Sequence, residues 1–173
     1  HDTREKLWKL LPFLKKEQIG VHADVLELPH ANVVLLDSGK RGLVEDKQLG
    51  WLAQQLDDRK EKPALVFAHY NPLPTHGIRP IRGMKNGKAL LKLIATRKHA
   101  KAFFHGHTHE WQHSVEGSIH IIAQPPVSYY FGKGHAHGWV DMNLNETTAD
   151  LELRCIDPVH KQHGERIQII LKG

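Results

Sequence analysis

The chain has 173 residues, 40% hydrophobic and 25% charged, and its 24 Lys and Arg against 19 Asp and Glu leave a formal net charge of +5. That length suits one domain, the composition is too apolar for a disordered chain, and no apolar run approaches the roughly 18 residues of a membrane-spanning helix. The single cysteine, Cys155, excludes an intrachain disulfide and points to a reducing, cytoplasmic setting.

The chain opens as a helix. Asp2 or Thr3 caps it, Glu5 stands in the capping-box position relative to Asp2, and Leu7, Leu10, Leu11 and Leu14 recur at helical spacing until Pro12 ends or kinks the element. Residues 21–28 alternate enough for a strand, and the apolar run over residues 32–37 reads as a strand covered on both faces. A helix over residues 45–56 follows, with Leu49, Leu52, Ala53 and Leu56 on one side and acids near its start. Residues 64–68 form a second buried strand. A long Gly- and Pro-rich loop over residues 69–87 comes next, then a helix over residues 88–98 and a third strand at residues 101–105. The pattern then changes to successive strands at residues 111–115, 118–123, 139–144, 149–156 and 166–171, which reads as a β-meander.

Fifteen histidines nearly equal the acids in number and invite a search for metal ligands. Phe103-Phe104-His105-Gly106-His107-Thr108-His109 is the sharpest motif: an apolar strand ends in glycine, then two histidines at i and i+2. In extended chain those two rings share one side, about 6–7 Å apart. Taken alone, such a motif is better read as a histidine-rich surface turn. The context decides otherwise, because Leu65-Val66-Phe67-Ala68-His69 is a second apolar strand ending in histidine. In open α/β sheets ligands bind beyond the carboxyl ends of the strands, so His69, His107 and His109 are expected at one edge.

These blocks resemble the last two signatures of the calcineurin-like metallophosphoesterase superfamily, a strand-end histidine before a proline and Gly-His-x-His. The stretch holding Asp37-Ser38, Gly42-Leu43, Gln48-Leu49 and Trp51-Leu52 resembles the segment between the superfamily's third and fourth blocks, and His1-Asp2 resembles the end of the third. The likeness covers about residues 1–123. It implies an α/β fold of two facing mixed β-sheets flanked by helices in four layers. It further implies one domain over residues 1–173 that lacks its N-terminal portion, with the motifs in residues 1–123 and a C-terminal β-meander in residues 124–173. The activity implied is hydrolysis of phosphomonoesters or phosphodiesters, cyclic nucleotides among them. The cofactors implied are two divalent ions, Mn, Fe or Zn: His69 and His107 on one and His109 on the other. His1 would contact the phosphate and protonate the leaving oxygen, with Asp2 orienting it.

The superfamily's upstream aspartates are absent from these residues, so this chain alone is expected to show partial or no metal occupancy, little hydrolysis and self-association through an uncovered sheet edge or face. His76 and Arg79, with Arg82 and Lys85, read either as a basic wall that draws a small phosphoester substrate or as a solvated loop. Tyr129-Tyr130-Phe131 reads as a seal between meander and main sheet, or as a platform for a base; His105 reads as packing and Cys155 as a core thiol. A non-catalytic scaffold of the same fold is the alternative. Neither a nucleic-acid nor a membrane partner is expected, since the basic residues are scattered.

Overall fold

The computed structural model describes residues 3–14, 20–39, 41–76, 80–128 and 134–172. His1, Asp2, Arg79 and the Tyr129–Phe131 cluster lie outside the described residues. The elements in chain order are α1 (Arg4–Leu10), β1 (Asp24–Glu27), β2 (Asn32–Leu35), α2 (Asp46–Asp58), β3 (Ala64–Ala68), α3 (Gly87–Ala95), β4 (Ala100–His105), β5 (Gln112–Glu116), β6 (Ile119–Ala123), β7 (Gly138–Leu144), β8 (Thr148–Cys155) and β9 (Arg166–Ile170).

They build two facing sheets. The larger has the order β1-β2-β3-β4-β6-β5, and the smaller β7-β8-β9. Strands β2, β3, β4 and β6 run parallel, and β1 and β5 close the two edges antiparallel. One face of the large sheet packs on α2 and α3 through Val34, Val66, Phe103, Leu52, Leu56, Leu90 and Ile94. The other face meets the small sheet through Leu65, Ala102, Phe104 and Ile122 against Leu151, Leu153, Cys155 and Ile169. Phe67 stacks on Phe104 in that second core, with centroids 4.4 Å apart and planes 5° from parallel. Burying each such large side chain contributes about 1.5–3 kcal/mol.

The small sheet shows why alternation was readable. Along β8 every second residue is buried, which aims Ala149, Leu151, Leu153 and Cys155 inward. The intervening residues carry a charge ladder, Arg154 to Asp141 at 3.0 Å, Arg154 to Glu152 at 2.9 Å and Arg166 to Glu152 at 3.1 Å.

Three expectations need correction. The strand over residues 21–28 contracts to Asp24–Glu27, with Val21 in an isolated bridge. Strand β2 is not covered on both faces. Its Leu35 pairs with Phe67 and so shares the face that meets the small sheet, yet Leu35 is 38% exposed, and Leu26, which pairs with Val33 on the same face, is 48% exposed. The small sheet covers the β3–β6 half and leaves the β1–β2 half open. Finally, β5 and β6 do not belong to the meander: β6 pairs parallel with β4, and only β7–β9 form the meander. Alternation marks a strand but not its partner.

Candidate metal and phosphate site at the strand ends

Strands β3 and β4 run parallel in a register that sets Ala68 beside His105. Whatever follows either strand therefore emerges at one edge, and His69 and Gly106 do. The Gly106 N–H donates to the His69 carbonyl at 3.0 Å, which extends the pairing one step past the strands.

The chain then turns. The Thr108 N–H donates back to the Gly106 carbonyl at 2.7 Å, closing a three-residue turn around His107. His107 has φ 63° and His109 φ 55°, and these are the two non-glycine residues with positive φ among the described residues. A γ-turn of this hand is rare, and left-handed backbone on residues with a Cβ costs on the order of 1–3 kcal/mol each. The extended His-x-His geometry is thus replaced by a strained turn. The physical reason is that cross-strand pairing ends with the Gly106 N–H, and the Gly106 carbonyl takes its donors locally. Besides Thr108 it accepts from His105 Nδ1 at 2.9 Å, which places the proton of that buried ring on Nδ1.

The turn swings His107 against His69. Their ring centroids are 5.3 Å apart at 75°. Tyr70 joins them, with its ring 4.1 Å from that of His107 and 5.4 Å, edge-on, from that of His69. Tyr70 is itself held from behind. Its N–H donates to Ser38 Oγ at 3.2 Å, and its ring lies where a Cβ on Gly42 would come within 3.0 Å. Gly42 also has φ +64°, so glycine is required there twice over. Ser38 follows Asp37, whose backbone N–H and C=O both bind the buried Gln48 amide at 2.8 Å. Arg4 of α1 ties to Asp37 and Glu45 at 2.6 Å each. A cleft of about 770 Å³ opens beside His69 and Tyr70, lined also by Arg4, His22, Leu35 and Asp37.

Burial lowers the basicity of His69, with added repulsion from His107 and His109. Burial likewise lowers that of His107, again with His109 adding to it. His105 is lowered by burial against the opposing pull of its bond to the Gly106 carbonyl. Neutral imidazoles with lone pairs available are the form that binds metal. Among the described residues, however, no group of three or more His, Cys, Asp or Glu is placed to hold an ion. The donor chemistry of His69 and His107 fits a divalent ion, but the two rings supply only part of its sphere. His109 leaves the same turn and is felt electrostatically by both. His76 is exposed on a loop whose ends are tied by Thr75 and Ile81. Tyr70 and Arg4 were not singled out from the sequence; the one available signal for Tyr70 was its position directly after a strand-end histidine.

No family model matches the chain. It is 29% identical over 147 residues to the 3',5'-cyclic adenosine monophosphate phosphodiesterase CpdA of Pseudomonas aeruginosa, a match that takes in 82% of this chain and 52% of that protein. Over 71 residues it is 37% identical to the glycerophosphodiester phosphodiesterase GpdQ of Enterobacter lignolyticus (strain SCF1), covering 40% of this chain and 25% of that one. The fold superposes on a dimetal phosphatase from Danio rerio with TM-score 0.72 and 18% identity, over 99% of this chain and 68% of that structure. These relatives and the shared fold support a place in the calcineurin-like metallophosphoesterase superfamily. It spans about half the length of the first of these relatives and a quarter of the second. The mixed large sheet facing a smaller one, with flanking helices, is the metallophosphoesterase architecture expected from the motifs. No described helix is long and apolar enough to cross a membrane.

Proposed function

We propose that the strand-end histidines form part of a divalent-metal centre and that the whole protein hydrolyses a small phosphoester, with a phosphodiester favoured. The observation that supports this best is the approach of His69 and His107 to 5.3 Å, at the shared edge of two parallel strands. The named activities of the two relatives, both phosphodiesterases, support the diester reading. Cyclic nucleotides and glycerophosphodiesters are the two substrate classes to compare.

In this reading His69 and His107 would hold one ion and His109 the other, with carboxylates completing both spheres. Manganese, iron or zinc would suit such a mixed nitrogen and oxygen set. A bound pair of divalent ions supplies charge neutralisation for the phosphate and lowers the pKa of an attacking water. The chain's own residues do the rest. Tyr70 and the Gly106–Thr108 turn hold two imidazoles at fixed angles. His1, oriented by Asp2, protonates the leaving oxygen. His76 and Arg79 would supply positive charge toward the phosphate.

The test is hydrolysis of bis(p-nitrophenyl) phosphate, 3',5'-cyclic AMP and a glycerophosphodiester. It uses these 173 residues and the same chain extended upstream, with Mn²⁺ or with chelator. Turnover in the extended chain should need the metal and fall about 10–100-fold or more with His69→Ala or His107→Ala. These residues alone should turn over little. Full activity in chelator would refute the mechanism. The absence of a three-ligand group among the described residues favours one second reading, a non-catalytic scaffold. An extended chain that binds a phosphodiester without hydrolysing it at any metal concentration would establish that reading instead.

A further inference from the structure

A second histidine pair lies away from the strand ends. On the antiparallel ladder of β5 and β6, His113 pairs with Ile122 and Val115 with His120. His113 and His120 are therefore diagonal neighbours on one face, within reach of each other's rings. His113 Nε2 stands 3.0 Å from His120 Nδ1. The ring centroids are 5.1 Å apart and the planes 3° from parallel, so the rings meet edge to edge nearly in a common plane. One of the two facing nitrogens carries a proton and the other a lone pair. Ala102 is the β4 neighbour of His120, whereas His105 ends that strand, so the pair sits about 10 Å back from the His69–His107 cluster.

The separation has a chemical meaning. Two imidazole nitrogens about 2.0 Å from one ion are about 2.8 Å apart at a right angle and about 3.3 Å apart at the tetrahedral angle. The observed 3.0 Å falls between. We propose that His113 Nε2 and His120 Nδ1 form a two-imidazole site for a divalent late transition ion, with copper(II) bound most tightly. Imidazole suits Cu²⁺, Ni²⁺ and Zn²⁺, and the general affinity order peaks at Cu²⁺. Capture needs no proton lost from the neutral pair. The ring that donates in the hydrogen bond shifts its proton to its other nitrogen, and both facing lone pairs become available. His113 lies exposed on the edge strand, so its ring has room to turn until the two lone pairs converge. Water fills the remaining positions. Lys101 on β4 is the charged group felt by His120, and it works against a hard cation held by charge alone. The site is thus one for borderline ions that bond to nitrogen, not for Mg²⁺ or Ca²⁺.

The test is titration of the metal-free chain with Cu²⁺ alone, followed by calorimetry and by electron paramagnetic resonance. Because the chain has many histidines, the readout is a difference between variants. His113→Ala and His120→Gln should each remove the same class of one ion per chain, weakening it at least tenfold, while His107→Ala leaves that class intact. The wild-type spectrum should show two nitrogen ligands for that class. Circular dichroism of both variants should match the wild type, His113→Ala being a change on a fully exposed strand. Unchanged isotherms in His113→Ala, or a class lost equally in His107→Ala, would overturn the assignment. Failure of the phosphoesterase reading would leave this result untouched, since the two tests use different residues.

Discussion

Two histidine pairs sit on the same sheet and are built in opposite ways. His113 and His120 face each other because an antiparallel ladder in regular register puts them there. His69 and His107 face each other only because the chain after β4 adopts left-handed backbone at two residues and Tyr70 is wedged behind them. The first pair follows from a repeating geometry. The second needs a particular turn, a glycine at position 42 and a hydroxyl at position 38. A site that depends on strain is the one that sequence change disrupts most readily, and the contrast can be tested directly.

Phe104→Ala should have the largest effect, because it strikes both pairs. Phe104 is fully buried on β4, stacked on Phe67 and facing the small sheet. Removal should cost about 3–5 kcal/mol, read as a drop in the urea midpoint, and should abolish both metal classes together. Survival of either class at wild-type affinity would show that the two pairs do not share a core.

Gly42→Ala separates them. The new Cβ meets the Tyr70 ring and sits on a left-handed backbone, at a cost of about 1–3 kcal/mol. Metal binding at His69 and His107 should weaken, while the His113–His120 class stays within twofold of wild type by calorimetry.

Acid should act on both pairs with the same sign. Burial lowers the basicity of His69, His107 and His120 in the folded chain. As pH falls below the unfolded value near 6.5, the unfolded chain takes up protons first. The stabilisation is complete above that pH and is lost as pH falls through the lower folded values. Denaturant midpoints at pH 7.5 and pH 5.0 should differ in that direction, and a protein more stable at pH 5.0 would contradict it.

His107→Gly should give the smallest change in stability, and the opposite one. Glycine adopts φ 63° without steric penalty, so thermal unfolding should shift up by a few degrees, about 0.5–1 kcal/mol, while a proposed ligand of the strand-end cluster disappears. An unchanged or lower midpoint would mean that the turn is not strained by its histidine.

The same contrast explains what could be read from the sequence. Leu65 to His69 and Phe103 to His107 advertised strands ending in histidine, and the two ends do meet. At Gly106–His109 the glycine permits an abrupt turn, but i, i+2 spacing is silent about φ, so the left-handed backbone of His107 and His109 is not legible there. The partners of β5 and β6 were missed because alternation is a property of one strand and pairing a property of two. Residues 21–28 promised a longer strand than forms, because β2 offers partners only to Asp24–Glu27 and Val21 is left in an isolated bridge. Tyr70 carries no motif of its own, and its role emerges only once Gly42 and Ser38 are brought behind it by the fold.

The register of β3 and β4 has a consequence for how the protein is made. Ala68 and His105 are separated by a long loop and a helix, and parallel pairing across such a span pays its loop-closure entropy before any contact is gained. The His69–His107 approach therefore cannot form in an early, locally folded species and appears only when the two strands have docked. Nascent or partly unfolded chains present these histidines singly, with far weaker hold on an ion. On the proposed metal reading, capture at this edge would wait until the sheet has assembled.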